Sequence, residues 1–508
     1  MTQVKPAKYG QRSCGMNELP LELIIHIFIL LHWRDILSIR RTCKTLFEAS
    51  TSKIIWVHFF LLHEQSMSGM PRLDRPIELY ESRELERLFL RSESLDLVCR
   101  ATGKKLPRKF NIPTKQAECV HLVEGGRWLL VVTRTGSVEY YDLDAESITG
   151  APLIPNQIGG HPESEIRMSI DMDENAPTLS FNLALSLIPP RPRSRLAPSS
   201  DPDTFDSQKI QVWRISLVIQ DQTGRSIGLS ASRLASFPLD LEVLSVETLS
   251  LLGTHVAFYS DCSVTKWTGC SYYIIVEWTR TKDDSLEYPR RILYPKSVSK
   301  YCKESMHLLP GCRLIIFDRH GTLSLHRYDS VPEIRSMPTD EDVEELPHEM
   351  WCQPITSTRG WIDAPHDRPF SVPHVFGGSR RFLLMDPITI RGIIIQDTNN
   401  TLLPVDPVRI VKFASELDTS KKTSRFFRWQ AIMECAWLHI MTHSVPSRFR
   451  GPELQRFMKN NLHGYPDWMH SSWFKNGPCI DEASGRAVFP SKGNPGRQNI
   501  LDFAFPPK

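Results

Sequence analysis

The chain has 508 residues, room for two or three domains at about 150 residues each. Its 41% hydrophobic and 23% charged residues describe a globular chain and exclude wholesale disorder. The net charge of +3 supplies no field toward nucleic acid or an anionic membrane, so neither is expected as a partner.

The 37 prolines against 26 glycines point to loops and short strands over a helical bundle. Eleven cysteines, an odd number with no C-x-x-C spacing, offer neither a disulfide framework nor a zinc module. Reduced thiols in the cytoplasm or nucleus are expected. Cys435 and His439 stand four apart without a second ligand pair. No metal and no cofactor is expected.

Residues 1–16 are expected to be disordered. The apolar run over 23–31, LIIHIFILL, is not read as a targeting segment. Glu18 and Glu22 stand at its start, His26 interrupts it, and no small-residue cleavage site follows. It is also far short of the ~20 residues a bilayer span needs. Leu19, Leu23, Ile24, Ile27, Phe28 and Leu31 recur at helical spacing, which predicts a helix over about 20–31. Pro20 suits its first position and Glu22 its first turn. Ile25, Ile29 and Leu30 lie off the main stripe, so the helix is apolar almost all round. That is more than one buried face requires. A short helix is predicted over 34–41 with Ile36, Leu37 and Ile39 apolar. A third follows with Thr42 as N-cap, carrying Cys43, Leu46 and Phe47. Trp56 closes the unit.

Glu18-Leu19-Pro20, the helix after it, Asp35-Ile36-Leu37, Arg40, Thr42-Cys43-Lys44, Leu46 and Trp56 together resemble an F-box over residues 17–60. Ile36 stands where that family usually has Leu. The resemblance implies a three-helix unit that docks on the Skp-type adaptor of a cullin-containing ubiquitin ligase. Three helices are too few to bury an adequate core alone, and surplus apolar surface marks a protein contact. Adaptor contact is expected from Leu19, Pro20, Leu23, Ile24, Ile27, Phe28, Leu37 and Arg40. Leu31, Ile36, Cys43, Leu46 and Trp56 are expected to hold the unit together.

Residues 61–117 read as a helical linker. Glu81, Arg83, Glu84, Glu86 and Arg87 surround Leu85, Leu88 and Phe89. Mixed charge signs favour a solvated helix face, with a rigid spacer between two modules as the alternative.

From residue 118 to 508 short β-rich runs take over. Residues 126–144 and 311–329 align without gaps at an offset of 185: Gly126 meets Gly311, Arg134 meets Arg319, Gly136 meets Gly321 and Asp144 meets Asp329. Each copy is a strand, a turn ending in Gly and a second strand. The region resembles a divergent β-propeller, similar to the WD-repeat class in architecture, with a large sandwich as the alternative. Blades of that kind run about 40–45 residues, so the offset fits about four blades, and the roughly 390 residues of the region hold about six or seven in all. Residues 210–215 and 273–278 read as outer strands. Irregular inserts are expected near 189–207 and 331–369, both taken as disordered, and over 441–480.

The fold class is therefore a small all-α F-box followed by a mainly-β, propeller-like domain. No catalytic residue is assigned. Gly228-x-Ser230-x-Ser232 lacks the final Gly of a nucleophile elbow. Asp171-x-Asp173-Glu174 and Asp201-x-Asp203 lack the Gly and Glu of a calcium loop. Arg380-Arg381 and Arg448-Phe449-Arg450 read as surface charge. The expected role is the substrate-recognition subunit of an SCF-type ubiquitin ligase. The expected partners are the Skp-type adaptor, a cullin through it, and a protein substrate. A non-degradative scaffold and a propeller-based hydrolase are the alternatives.

Overall fold

The computed structural model describes residues 19–66, 73–100, 108–114, 117–157, 165–188, 208–220, 224–239, 245–261, 272–283, 285, 287–293, 305–317, 322–335, 356–358, 374–376, 379–385, 390–397, 408–412, 479–481, 484, 486–491 and 494–502. The expected disorder of 1–16 and of the 189–207 insert, and the residues Cys435, His439, Asp201, Asp203 and Arg448 to Arg450, lie outside the described residues.

The helical part opens with α1 (Leu21–Leu30). Pro20 is its N-cap, not its first helical residue, and the Pro20 carbonyl accepts from the amides of Leu23 and Ile24. A tight break leads into α2 (Trp33–Ile39), where the His32 ring accepts from the Arg34 amide. The N-cap of α3 (Lys44–Ser50) is Cys43, whose thiol sulfur accepts from the Leu46 amide at 3.5 Å. Thr42, expected in that role, donates its hydroxyl back to the Ile39 carbonyl and so belongs to the end of α2.

α4 (Lys53–Ser66) and α5 (Ser82–Arg100) complete the unit. Its core joins Ile24, Phe28, Trp33, Ile36, Leu46, Ile55, Trp56 and Phe59 to Leu85 and Phe89 of α5. The expected solvated α5 face is thus only half of that helix. The other half packs beneath the first three helices, because a trihelix of this size cannot seal its own core.

The β region holds six four-stranded antiparallel sheets among the described residues. β1 (Arg108–Pro113) starts ahead of the expected boundary at 118 and pairs with the far end of the chain. The first sheet contains β2 (Ala117–Leu122), β3 (Trp128–Thr133), β4 (Val138–Asp142) and β5 (Gly150–Ile154). The second contains β6 (Glu165–Met172), β7 (Ser180–Ile188), β8 (Lys209–Gln220) and β9 (Arg225–Pro238). The third contains β10 (Ser245–Leu252), β11 (His255–Asp261), β12 (Tyr272–Glu277) and β13 (Arg290–Leu293). The fourth contains β14 (Ser305–Leu309), β15 (Arg313–Phe317), β16 (Leu323–Arg327) and β17 (Thr356–Thr358). The fifth contains β18 (His374–Phe376), β19 (Ser379–Met385), β20 (Ile390–Gln396) and β21 (Val408–Lys412). In the sixth, β22 (Cys479–Asp481), β23 (Arg486–Ser491) and β24 (Asn494–Asp502) are joined by β1, with Arg108 opposite Asp502 and Pro113 opposite Arg497.

The first five sheets are meanders, the sixth takes in β1 beside β24, and shared apolar cores join the sixth sheet to the first and the first through to the fifth. Trp128 and Leu130 of β3 meet Phe181 and Leu183 of β7; Val212 of β8 shares a core with Phe258, Ile274 and Leu314. Inner strands covered on both faces read as unbroken apolar runs, such as WLLVVT in β3 and YYIIV in β12. The first strands β2, β6, β10 and β14 touch in succession, and β22 touches β2. These contacts line first strands along the inner side of the array and leave the last strands β5, β9, β13, β17 and β21, with β1, at the rim.

Three expectations change. The 185-residue offset separates the first sheet from the fourth, so it spans three sheets, not four, because long connections lengthen the repeat. Residues 210–215 and 273–278 are not outer strands: β8 and β12 are third in their sheets, flanked on both sides. The 331–369 stretch is not irregular throughout, since β17 lies within it and Ile334 bridges Arg290. The turn glycines behave as anticipated where described. Gly136 takes φ +78 between β3 and β4, and Gly126 takes φ +66 against Ser484, where a Cβ would lie 1.8 Å from the Ser484 hydroxyl.

Candidate functional site

The candidate surface lies on α1. Leu23 is 50% exposed and Leu30 is 84% exposed, with Pro20 exposed and Ile27 part-buried on the same face. Positions 23, 27 and 30 follow helical spacing, so they form one outward apolar stripe. Ile24 and Phe28 sit roughly a quarter-turn away and are fully buried. They were expected to touch an adaptor; their side chains fill the unit's own core, so they support the stripe from behind. Leu19 and Leu37 are part-buried against the same core. Arg40, also expected at the adaptor, faces α5. Its guanidinium pairs with Glu86 of α5 and ties α2 to that helix.

Leu31 is part-buried, and Ile36, Leu46 and Trp56 are buried in the core. The Trp56 indole N–H donates to the Ser50 carbonyl at 3.0 Å, which satisfies its one polar atom. Leu21 of α1 is exposed as well, as are Phe47 of α3 and Ile54, Leu61 and Leu62 of α4. The sequence signal for Leu30 was its place in the apolar surplus; for the α4 residues there was no comparable signal, since α4 had no assigned role.

Behind this surface, two buried charge clusters fasten the helical unit to the β region. In the first, the Asp74 carboxylate pairs with Arg127, just ahead of β3, at 2.9 Å, and Arg127 pairs with Asp142 of β4 at 2.7 Å. The Asp74 carbonyl accepts from the Leu179 amide, and the Asp74 amide donates to the Tyr80 hydroxyl. Arg75 lies over the Tyr80 ring, pairs with Glu84 at 2.8 Å and reaches Ser226 of β9.

In the second cluster, Arg91 of α5 is nearly sealed from solvent. It donates to the Ser484 carbonyl and pairs with Asp144 at 3.2 Å and Asp502 at 3.3 Å. Arg486 of β23 pairs with the same two carboxylates at 2.6 and 3.1 Å and donates to the Gly126 carbonyl. Burial alone raises Asp144, but the Arg486 and Arg91 guanidiniums outweigh it and hold the carboxyl down at about 2. This cluster sits at the pairing of β1 with β24, so α5 is anchored where the sixth sheet meets the first.

The weak motifs weighed in the sequence sit in strands or in ion pairs. Gly228, Ser230 and Ser232 lie within β9. Asp171 accepts from the Gly253 amide, Asp173 pairs with Arg214, and Arg380 pairs with Asp397. No helix among the described residues is long and apolar enough to cross a membrane.

Residues 16–62 match the family model described as F-box-like. No curated protein matches the chain significantly. Among solved structures, the chain is similar to the WD40 domain of SCAP from fission yeast at 11% identity and a TM-score of 0.28, over 59% of this chain and 62% of that one. It therefore spans under two thirds of that protein. It is also similar to the Myceliophteria thermophila Cps50 (Swd1) β-propeller domain at 11% identity and a TM-score of 0.25, over 78% of this chain and 99% of that one. Scores this low carry no weight for the architecture, which rests on the six sheets and their order. The chain thus carries an F-box-like domain ahead of a propeller-like array of sheets.

Proposed function

We propose that this chain is the substrate-recognition subunit of an SCF-type ubiquitin ligase, its α1 stripe held by a Skp-type adaptor and its β array holding a protein substrate. The observation that carries the reading is the outward apolar stripe of Leu23, Ile27 and Leu30 on a unit matched as F-box-like. Burying one such side chain contributes about 1.5–3 kcal/mol, so a few of them outweigh much of the ordering cost of docking. Catalysis falls to other subunits. This chain raises the effective concentration of a substrate lysine near the charged ubiquitin carrier.

Leu23→Asp with Leu30→Asp tests the docking half. Both side chains are exposed, so the variant is expected to fold with an unchanged melting temperature. Capture of the Skp-type adaptor by the purified chain should drop at least a hundredfold. Adaptor binding at wild-type strength overturns the proposal. Co-purification with a cullin, and a longer substrate lifetime on deleting 17–60, distinguish a receptor from a scaffold that degrades nothing.

A further inference from the structure

Rim strands are the free edges of a propeller-like array, and short or charged edges keep them from pairing with other chains. Five of the six rim strands here follow that rule. β5, β13, β17 and β21 have 3 to 5 residues, and β1 has 6, with Arg108, Lys109 and Pro113 among them. β9 has 14 residues, and from Ser226 to Ala235 its one charge is Arg233. No strand among the described residues pairs with its outer side.

β9 is also irregular in a particular way. Its pairing with β8 slips twice, once at Ile227 and once at Leu234. Each slip is a bulge, which turns one residue out of the ladder. Ile227 is 62% exposed and Leu234 is 43% exposed. They are the only large apolar side chains so exposed among the described residues of the β array. Both ends of the strand are already occupied: Arg127 reaches the Ser226 carbonyl, and the Ser236 amide donates to Asp283. Between them Gly228, against the Tyr140 hydroxyl, and Leu229 are buried, while Ser230 to Arg233 form a more exposed ledge, with Ile227 and Leu234 about 23 Å apart at strand spacing. The flanking arginines are neutralised internally, Arg225 by Glu81 and Arg233 by Asp283. The ledge therefore offers backbone pairing and apolar contact but no unmatched charge.

We propose that β9 is the substrate-binding edge: an extended, uncharged segment of a partner protein adds to it as a fifth strand across Ser230–Arg233, with an apolar side chain against each of Ile227 and Leu234. Only an extended backbone matches the unpaired amides and carbonyls of an edge, while the two bulged residues select the side chains. The proposal deepens the receptor reading above and rests on it for the partner being a substrate.

The test selects a displayed library of random twelve-residue peptides on the full-length chain, with counter-selection on Ile227→Lys/Leu234→Lys. An Ile227→Thr/Leu234→Thr variant, which keeps strand propensity, covers any folding defect of the lysine pair. Expected are uncharged, apolar peptides that bind the wild type and lose at least tenfold on both variants. N-methylating alternate peptide amides should weaken them by a similar factor, and binding should protect the 230–233 amides from hydrogen exchange. Enriched peptides that bind both variants as well as wild type, or no enrichment at all, overturn the proposal. So does a dimer of the chain that the variants abolish without any selected peptide, since the edge then serves a second copy. Adaptor capture is measured alongside. Its loss in the wild type counts against the receptor reading alone, and its retention with no peptide selected counts against β9 alone.

Discussion

His326 on β16 is 6% exposed, with Nε2 2.9 Å from the Ser324 hydroxyl, and burial holds its ring down at about 4. An unfolded histidine titrates near 6.5. Between those values the unfolded chain binds a proton that the folded chain refuses. The contribution is therefore complete above pH 6.5 and is lost as pH falls toward 4, by about 3 kcal/mol in total for a shift of this size. His326→Phe should flatten that part of the profile. Urea unfolding at pH 7 and pH 4.5 measures it: the wild type should lose about 2–3 kcal/mol more than the variant over that interval. Equal losses would refute the buried neutral ring. Asp144 works in a lower window. Its carboxyl is already ionised in the fold well below the ordinary range, so the stability it adds is present above the unfolded value near 3.9 and is lost as pH falls toward 2.

At the scale of elements, legibility followed how local the cause was. α1 was readable because its spacing and Pro20 lie within one short segment. Cys43 was not readable as a cap, since Thr42 is the better residue by type; only the backbone path decides which side chain faces the Leu46 amide. That α5 comes back to pair with Arg40, and that Ile24 turns into the core, is written nowhere in the sequence. Paired strands such as β3 and β4 were legible through the turn glycine. Rim positions were not, because the strand that flanks a run comes from a distant turn of the chain. α5 shows the same limit. Its Leu85 and Phe89 were visible as a stripe, but not their partner. Phe89 lies 5.5 Å from the Phe59 ring, 6.0 Å from Trp56 and 6.4 Å from Trp33. Phe89→Ala should cost the helical unit about 3–5 kcal/mol. The readout is the tryptophan near-ultraviolet dichroism of the full chain on heating. An unshifted transition would mean that α5 only leans on the core.

The molecule as a whole is two differently built parts welded by buried charge. Asp74 and Arg91 both belong to the helical side, and each inserts into a pair that the β array would otherwise complete by itself: Arg127 with Asp142, and Arg486 with Asp144 and Asp502. That asymmetry makes the weld testable without damaging either part. Removing one partner of a buried ion pair costs about 3–5 kcal/mol when a charge is left alone. Here each remaining array group keeps a partner, so the loss should fall on the junction. In Asp74→Ala/Arg91→Met, calorimetry is expected to resolve two transitions in place of one, the helical unit melting first. Adaptor capture should persist, because the α1 stripe is far from both substitutions in sequence and its supporting core is intact. Substrate modification should fall, since a hinged receptor spreads the substrate over many positions and dilutes its effective concentration at the ubiquitin carrier. A single unchanged transition would show that apolar packing alone holds the parts together, and a fixed geometry between adaptor and substrate would then need another source.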